Sequence, residues 1–150
     1  MQLNQMTDHR IEQQYAFLME QIIKRYRQAA AHALNAHQAG ISVDQWVVLK
    51  QISEHHGCSQ VEIALSTVKD APTTTRIIDQ LTKKELIGKQ LDPSDRRRYM
   101  VFVTPKGQRL IERLLPVVRE YRKIAVRDFT SQEMDLLQGL LHRMVGNLGD

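Results

Sequence analysis

Three capping boxes fix where helices begin, and they constrain the fold more than any other feature of the chain. In a capping box, a Ser or Thr side chain accepts a hydrogen bond from the third helical N–H, and a Glu or Gln there reaches back. The pattern occurs at Ser42 with Gln45, at Ser59 with Glu62 and at Thr130 with Glu133. Two further starts, after Asp70 and Thr104, carry proline in the first turn. So many helix starts in 150 residues predict a mostly helical chain.

Apolar residues at helical spacing define the extent of each element. They predict a first helix over about 8–39, which Gly40 ends. Further helices are expected over 43–55, 60–66, 70–86, 104–128 and 131–147. The segments 87–91 and 98–103 are predicted strands, and the Asp-Pro-Ser-Asp between them favours a turn. The predicted fold class is therefore mostly α with a small β-hairpin.

Positive charge is concentrated in the middle of the chain. Residues 69–109 hold ten Lys or Arg against five Asp or Glu, whereas the rest holds 11 basic and 12 acidic residues. This pattern favours a polyanion partner. There is no apolar run long enough for a membrane span, and the polar start does not resemble a secretory signal. The single cysteine, Cys58, fits a reducing compartment, so we expect a cytoplasmic protein with no membrane partner.

The short helix over 60–66, the following turn and the helix over 70–86 form a predicted helix-turn-helix, and the hairpin behind them has the position of a wing. In such units the second helix enters the major groove of DNA with its N-terminal residues leading. Arg76 lies off the apolar stripe of this helix and can bind guanine through a bidentate fork. The candidate DNA contacts at the two helix starts are Ser59, Gln60, Pro72, Thr73, Thr75 and Arg76.

The hairpin tip carries three consecutive arginines, Arg96, Arg97 and Arg98. The three adjacent positive charges repel one another, and packing offers no compensating stabilisation. A narrow minor groove attracts inserted arginine because its negative potential is concentrated. Asp95 lies two residues before Arg97, and we expect it to pair with the guanidinium and hold its pose. The alternative is a solvated basic turn, but the neighbouring helix-turn-helix favours DNA.

Four segments, taken together, resemble the MarR family of winged helix-turn-helix transcription regulators. They are SVDQWVVLKQI in the second helix, SQVEIAL at the entry to the motif, APTTTRIIDQLTKKELI in the recognition helix and DRRRYMVFVTPKG in the wing. The wing signature is the most specific part, and it comprises Asp95, Arg97, Val103-Thr104 and Gly107. The chain departs from the family pattern at Glu85, where glycine usually follows the lysine pair, and this bears on the end of the helix.

The resemblance implies a homodimer in which the first and last helices of two subunits interlock. The chain would then comprise a dimerisation helix over 1–40, a winged helix-turn-helix DNA-binding domain over 41–104 and dimerisation helices over 105–150. DNA contact is carried onto Thr73, Arg76 and Arg97, with Asp95 as the support of Arg97. Members are more often repressors, and a small aromatic or phenolic effector, an oxidant or a metal often releases them from double-stranded DNA. The predicted function is sequence-specific repression at a pseudo-palindromic operator.

Other residues suggest ligand, metal or redox chemistry. Trp46 is expected in the core, but with Tyr15, Tyr26 and His32 it is also a candidate for lining an effector pocket. Cys58 precedes a helix start, which would lower its pKa, yet the peroxide-sensing cysteine of the family lies in the first helix, so a structural thiol is preferred. No two histidines have the i, i+4 spacing that a helical metal site uses, so no metal or other cofactor is predicted.

Two other functions fit parts of the pattern. A winged-helix module could dock an acidic protein partner through the same basic surface, and it would select no DNA sequence. A small-molecule enzyme or carrier on a helical dimer fits less well, because the chain has no Gly-rich phosphate loop and no Ser/His/Asp arrangement. The Ser-x-x-Lys match at residues 66–69 lacks its companion motifs. The chain is therefore not predicted to be an enzyme.

Overall fold

The computed structural model describes residue 10 and residues 14–67 and 69–149. Its helices are α1 (Tyr15–Ala36), α2 (Val43–Glu54), α3 (Gln60–Ser66), α4 (Ala71–Lys83), α5 (Pro105–Ala125) and α6 (Ser131–Leu148). Its strands are β1 (Cys58–Ser59), β2 (Ile87–Leu91) and β3 (Tyr99–Val103). The predicted class, mostly α with a hairpin, is confirmed. Residues 8, 9 and 11–13, where the sequence predicts the start of the first helix, lie outside the described residues.

All three predicted capping boxes are formed. Ser42 Oγ accepts from the Gln45 N–H at 3.1 Å, and Gln45 Oε1 accepts from the Ser42 N–H at 3.2 Å. The same reciprocal pair closes the starts of α3 and α6. The predicted caps of α4 and α5 also accept from the first helical turn, and both helices have proline in that turn. Local side-chain chemistry therefore sets the beginnings of five helices, as the sequence predicts.

The hairpin is part of a three-stranded antiparallel sheet with strand order β1-β3-β2. Strands β2 and β3 pair from Ile87 opposite Val103 to Leu91 opposite Tyr99. On the other side of β3, Cys58 pairs with Val101. Strand β1 is not predicted from the sequence, because two residues are too few to show the alternation by which a strand is recognised. Because β1 pairs with β3, the start of α3 is hydrogen-bonded directly to the wing.

Helix α4 ends three residues earlier than predicted. It stops at Lys83, and Glu85 takes the left-handed conformation with φ +59°. The N–H of Leu86 then donates to the carbonyl of Leu81 at 3.0 Å, which closes the helix end. Leu86 is buried but belongs to the connection into β2. The position where the family usually has glycine is therefore the one that turns the chain out of α4.

The hydrophobic core runs from the helix-turn-helix into the contact between α1 and α5. Trp46 of α2 is 2% exposed, and Val101 of the wing is fully buried. Tyr26 of α1 meets Tyr121 of α5 edge to face, with ring centroids 5.6 Å apart. The other fully buried large side chains are Leu34, Val48, Leu49, Ile52, Ile63, Ile77, Ile78, Leu81, Ile87 and Leu114. This continuous core fixes the winged unit against the two long helices.

Two helical segments leave apolar side chains uncovered. All of α6 is described, and none of its residues is buried. The exposed large apolar residues of α1 and α6 are Tyr15, Leu18, Ile22, Ile23, Leu136, Leu140, Leu141, Val145 and Leu148. Within the described residues, no helix combines the length and the apolar character that crossing a membrane requires.

Candidate nucleic-acid interface

The predicted helix-turn-helix is formed by α3 and α4, and the residues described between them are Thr67, Lys69 and Asp70. Thr67 closes α3 by donating its hydroxyl to the carbonyl of Ile63 at 2.8 Å. Helix α4 buries one face against the core through Thr74, Ile77, Ile78 and Leu81. Its opposite face is exposed, which is the arrangement that a helix needs to enter a groove.

The exposed start of α4 carries the predicted base-reading residues. Pro72, Thr75 and Arg76 are exposed, whereas Thr73 is half-buried. Arg76 takes part in none of the ion pairs found among the described residues. Its neighbour Asp79 is instead paired with Lys89 of the wing at 2.8 Å. The guanidinium of Arg76 is therefore free to form the two parallel hydrogen bonds that guanine accepts.

The threonine hydroxyls at this surface already donate to the cap and the first turn of α4. Thr73 Oγ1 donates to Asp70 Oδ2 at 2.8 Å, and Thr75 Oγ1 donates to the carbonyl of Ala71 at 3.0 Å. The backbone N–H of Thr73 and then its hydroxyl hold the pKa of Asp70 below its ordinary value. The outward contributions of these threonines are therefore lone pairs and methyl groups, which suit an amino donor or a thymine methyl.

The wing tip is built on its two aspartates. Asp92 Oδ1 accepts from the N–H and the hydroxyl of Ser94 at 2.8 and 2.6 Å. Asp95 Oδ1 accepts from the backbone N–H of Arg97 at 2.9 Å. The expectation that Asp95 pairs with the Arg97 guanidinium is wrong in this detail, because the carboxylate engages the main chain. Asp95 thus supports Arg97 by fixing the turn and leaves the guanidinium unpaired.

The three arginines of the tip have different surroundings. Arg96 and Arg97 are exposed and absent from the ion pairs of the described residues. Arg98 points back, with its guanidinium 3.9 Å from Glu62 of α3. A small pocket of about 180 Å³ lies where α3 meets the wing, and Gln60 and Arg97 both line it. The structure therefore brings Gln60 and Arg97 together, and gives Arg98 a contact within the protein.

Ser59 does not fit the predicted phosphate contact. It is 5% exposed, and its hydroxyl accepts from the Glu62 N–H at 3.3 Å. Its own N–H donates to Glu62 Oε2 at 2.6 Å. Because Ser59 also belongs to β1, both of its polar groups are committed inside the protein. Ser59 is a structural cap, and Gln60 is the remaining candidate at the start of α3.

The four residues predicted to line an effector pocket are not brought together. Trp46 is buried in the core, and Tyr26 packs on Tyr121. Tyr15 and His32 are both exposed on α1, and their separation of 17 residues corresponds to about 25 Å along a helix. The four side chains therefore do not meet within one chain, and their role in an effector site stays a prediction. No signal in the sequence identifies Tyr121 as the partner of Tyr26, because a sequence does not show which helices pack.

The surroundings of Cys58 do not activate its thiol. The thiol is half-buried, and burial raises the pKa of Cys58, with Glu62 acting in the same direction. An activated cysteine needs a lowered pKa. The structure thus favours the predicted structural thiol over a redox sensor. In the part of the chain that is described, there is no group of three His, Cys, Asp or Glu side chains that could hold a metal ion.

Comparisons with known proteins converge on one type of regulator. The model of the "MarR family" matches residues 41–99. The HTH-type transcriptional repressor NicR of Pseudomonas putida is 25% identical over 93% of this chain and 87% of its own length. A probable transcriptional regulator from Pseudomonas aeruginosa is similar in structure, with a TM-score of 0.81, 31% identity and coverage of 90% and 99% of the two chains. MepR of S. aureus in its DNA-binding conformation gives a TM-score of 0.80 at 26% identity, covering 90% and 98%.

Proposed function

The chain belongs to the MarR family of winged-helix transcriptional regulators, and from this premise we propose that it represses transcription as a homodimer. It binds a pseudo-palindromic duplex operator and leaves it when a small molecule binds. The similarity to a relative named as a repressor supports the sign of regulation. The relatives are regulators, which agrees with the expectation that the chain is not an enzyme.

One observation carries the DNA-binding part of the proposal. Helix α4 buries one face and presents an unpaired Arg76 on the other. In this assignment Arg76 reads guanine in the major groove, while Arg96 and Arg97 of the wing enter the flanking minor groove or neutralise phosphates. Gln60 contacts the backbone beside the wing. Specificity then comes from α4, and much of the affinity from the wing.

The uncovered apolar side chains of α1 and α6 support a homodimer. Leu140 and Leu141 of α6 are 45% and 38% exposed, and Ile22 and Ile23 of α1 are 58% and 56% exposed. Exposed apolar side chains that recur along a helix mark an interaction surface. A second copy offers the same two helices, so a two-fold arrangement covers both surfaces at once. Residues 1–40 and 105–150 then form the dimer, and residues 41–104 bind DNA.

The test is selection of bound duplexes from a random DNA library at near-physiological salt. The proposal predicts an inverted repeat with half-sites about one helical turn apart. Binding that depends on salt but enriches no motif would contradict it, because that result describes an electrostatic surface alone. The basic winged unit would then be better explained as a docking module for an acidic protein.

A further inference from the structure

We infer that Lys89 on β2 of the wing controls the base preference of Arg76 on α4, because Lys89 holds the carboxylate of Asp79 away from the Arg76 guanidinium. Lys89 is therefore a positioning residue for base reading. The inference deepens the proposed function and rests on it, since it names the residue that keeps the assigned base contact available. It also gives the wing a part in specificity as well as in affinity.

Asp79 and Arg76 lie on the same exposed face of α4. They are three residues apart, and side chains at this spacing on a helix are neighbours. Both residues line one surface pocket of about 540 Å³, together with Pro72, Thr75, Gln80 and Lys83. The Asp79 carboxylate is thus within reach of the guanidinium. An ion pair between the two would occupy the nitrogen atoms that bind guanine.

In the structure the carboxylate is paired with the wing. Lys89 Nζ donates to Asp79 Oδ1 at 2.8 Å. This hydrogen bond and the charge of Lys89 hold the pKa of Asp79 below its ordinary value, and the charge of Lys83 acts in the same direction. Arg76 takes part in none of the ion pairs among the described residues. The partner of Asp79 is therefore the wing lysine.

The sheet directs Lys89 toward α4. Alternate residues of a strand share a face, so Lys89 shares its face with Ile87, which is 2% exposed. The residue opposite Lys89 on β3 is Val101, which is fully buried. The side chain of Lys89 is 27% exposed, whereas that of Asp79 is 51% exposed. The strand thus holds the lysine against the helix, while the carboxylate remains at the reading surface.

Without Lys89, two cations of α4 would compete for the carboxylate. Arg76 precedes Asp79 by three residues, and Lys83 follows it by four. A guanidinium binds a carboxylate through two parallel hydrogen bonds, whereas an ammonium acts as a point charge. Lys83 also lies in the last turn of α4, where the helix carbonyls attract positive charge. Both effects favour Arg76 as the new partner, and its guanidinium would then be withdrawn from guanine.

The experiment compares the duplex affinities of the full-length parent, Lys89→Met, Asp79→Asn and the double variant. Each protein binds the duplex selected by the parent and the same duplex with guanine replaced by adenine in one half-site. The parent should prefer guanine by about tenfold or more, as a bidentate arginine contact does. Lys89→Met should lose most of this preference. Asp79→Asn alone should keep it, and the double variant should regain it, because asparagine does not pair ionically with Arg76.

The double variant separates this role from simple support of the wing. It also lacks the ion pair, so a wing that merely needs the pair for its position would remain impaired. Lys50→Met is the matched control, because Lys50 of α2 is 29% exposed and pairs with Glu54 in the same manner. This control should keep the guanine preference.

A second measurement needs no DNA. The pKa of Asp79, followed by the ¹³C shift of its carboxyl group, should stay below about 3.9 in Lys89→Met, because Arg76 takes the place of Lys89. The pKa should rise towards that value when Arg76→Gln is added. A rise in Lys89→Met alone would overturn the inference. A pKa that stays low after Arg76→Gln is added would also overturn it, and would assign the carboxylate to Lys83.

Two results of the affinity comparison would overturn the inference as well. They are an unchanged guanine preference in Lys89→Met, and a lost preference that Asp79→Asn does not restore. If the parent chain selects no duplex motif, the proposed function itself is contradicted. A parent motif together with any of these contrary results contradicts the inference alone.

Discussion

Gly107 in the first turn of α5 lies against the backbone carbonyl of Leu86 so closely that there is no room for a β-carbon. A methyl group at Gly107 would collide with the Leu86 oxygen and would lie 2.8 Å from Cγ1 of Val103. The Thr104 hydroxyl accepts from the Gly107 N–H at 3.1 Å, and the Thr104 N–H donates to Leu86 at 3.1 Å. This contact joins α5 to the chain that leaves α4, beside the wing.

We therefore predict that Gly107→Ala destabilises the protein by about 2 kcal/mol or more, because overpacking against the backbone cannot be relieved by a rotamer change. Urea unfolding measures the effect. The matched control is Gly139→Ala in α6, where nothing lies within 4 Å of an added β-carbon. The control should gain up to about 1 kcal/mol from helix propensity. Equal stability of the two variants would contradict the prediction.

The backbone conformation of Glu85 costs free energy of folding that a glycine at this position would not lose. Its φ of +59° lies in the left-handed region, and its ion pair with Lys106 is exposed and weak. We predict that Glu85→Gly is more stable than Glu85→Ala by about 1 kcal/mol, since both lose the carboxylate and only glycine relieves the strain. Thermal unfolding of the pair measures the difference. An alanine variant as stable as the glycine variant would contradict the left-handed argument.

Asp44 links α1 to the turn of the helix-turn-helix. Its Oδ1 accepts from Lys69 at 2.7 Å and from Arg27 at 2.8 Å. Burial opposes ionisation, but these two hydrogen bonds and the charges of their donors outweigh it and lower the pKa of Asp44. A carboxyl whose pKa is lowered on folding stabilises the protein above its unfolded pKa, which is about 3.9. That contribution is lost as the pH falls through the folded pKa.

We predict that Asp44→Asn costs about 1 kcal/mol at neutral pH, a value reduced for partial exposure. The difference from the parent chain should shrink as the pH falls below about 4. Chemical unfolding at several pH values measures it. Asp135→Asn, an exposed change on α6 outside the ion pairs of the described residues, should show no such profile. A loss of stability in Asp44→Asn that does not change with pH would contradict the prediction, because ionised Asp44 would then not be the source of the stabilisation.

The sequence predicts those parts of the fold that depend on local chemistry. The capping residues Ser42 and Thr130 begin helices because their hydroxyls meet backbone N–H groups three residues away. The bounds of α3, which Ser59 caps in the same way, agree with prediction, and so do the bounds of β2. The predicted end of α4 is three residues too late, because nothing in the residue type of Glu85 shows that its backbone takes the left-handed conformation.

The predicted site was less accurate where the answer depends on tertiary contacts. Arg76 and Arg97 are exposed as expected, because they lie off the apolar pattern. Ser59 is buried because β1 brings it under the wing, and a two-residue strand cannot be recognised from sequence. A pocket of about 380 Å³ between the end of α4 and the start of α5 is lined by residues of three segments, among them Ile41, Leu86 and Leu110, and only the packed fold shows that these segments meet.

The wing prediction concerns affinity. Arg97→Ala should weaken binding to the selected duplex at any salt concentration and reduce the slope of log affinity against log salt by about 1, because one phosphate-neutralising charge is lost. The urea midpoint should not change, since Arg97 is exposed and unpaired. Arg119→Ala removes the same charge from α5 and should retain the full slope. An unchanged affinity and slope in Arg97→Ala would remove the wing from the interface.

The most direct test of the central claim is to repeat the duplex selection with Arg76→Ala beside the parent chain. The parent should enrich an inverted repeat with a guanine at one fixed position in each half-site. The variant should keep the half-site spacing, which the dimer sets, and lose the preference for that guanine. The same motif from both proteins would contradict the role of Arg76, and no motif from the parent would contradict sequence-specific regulation itself.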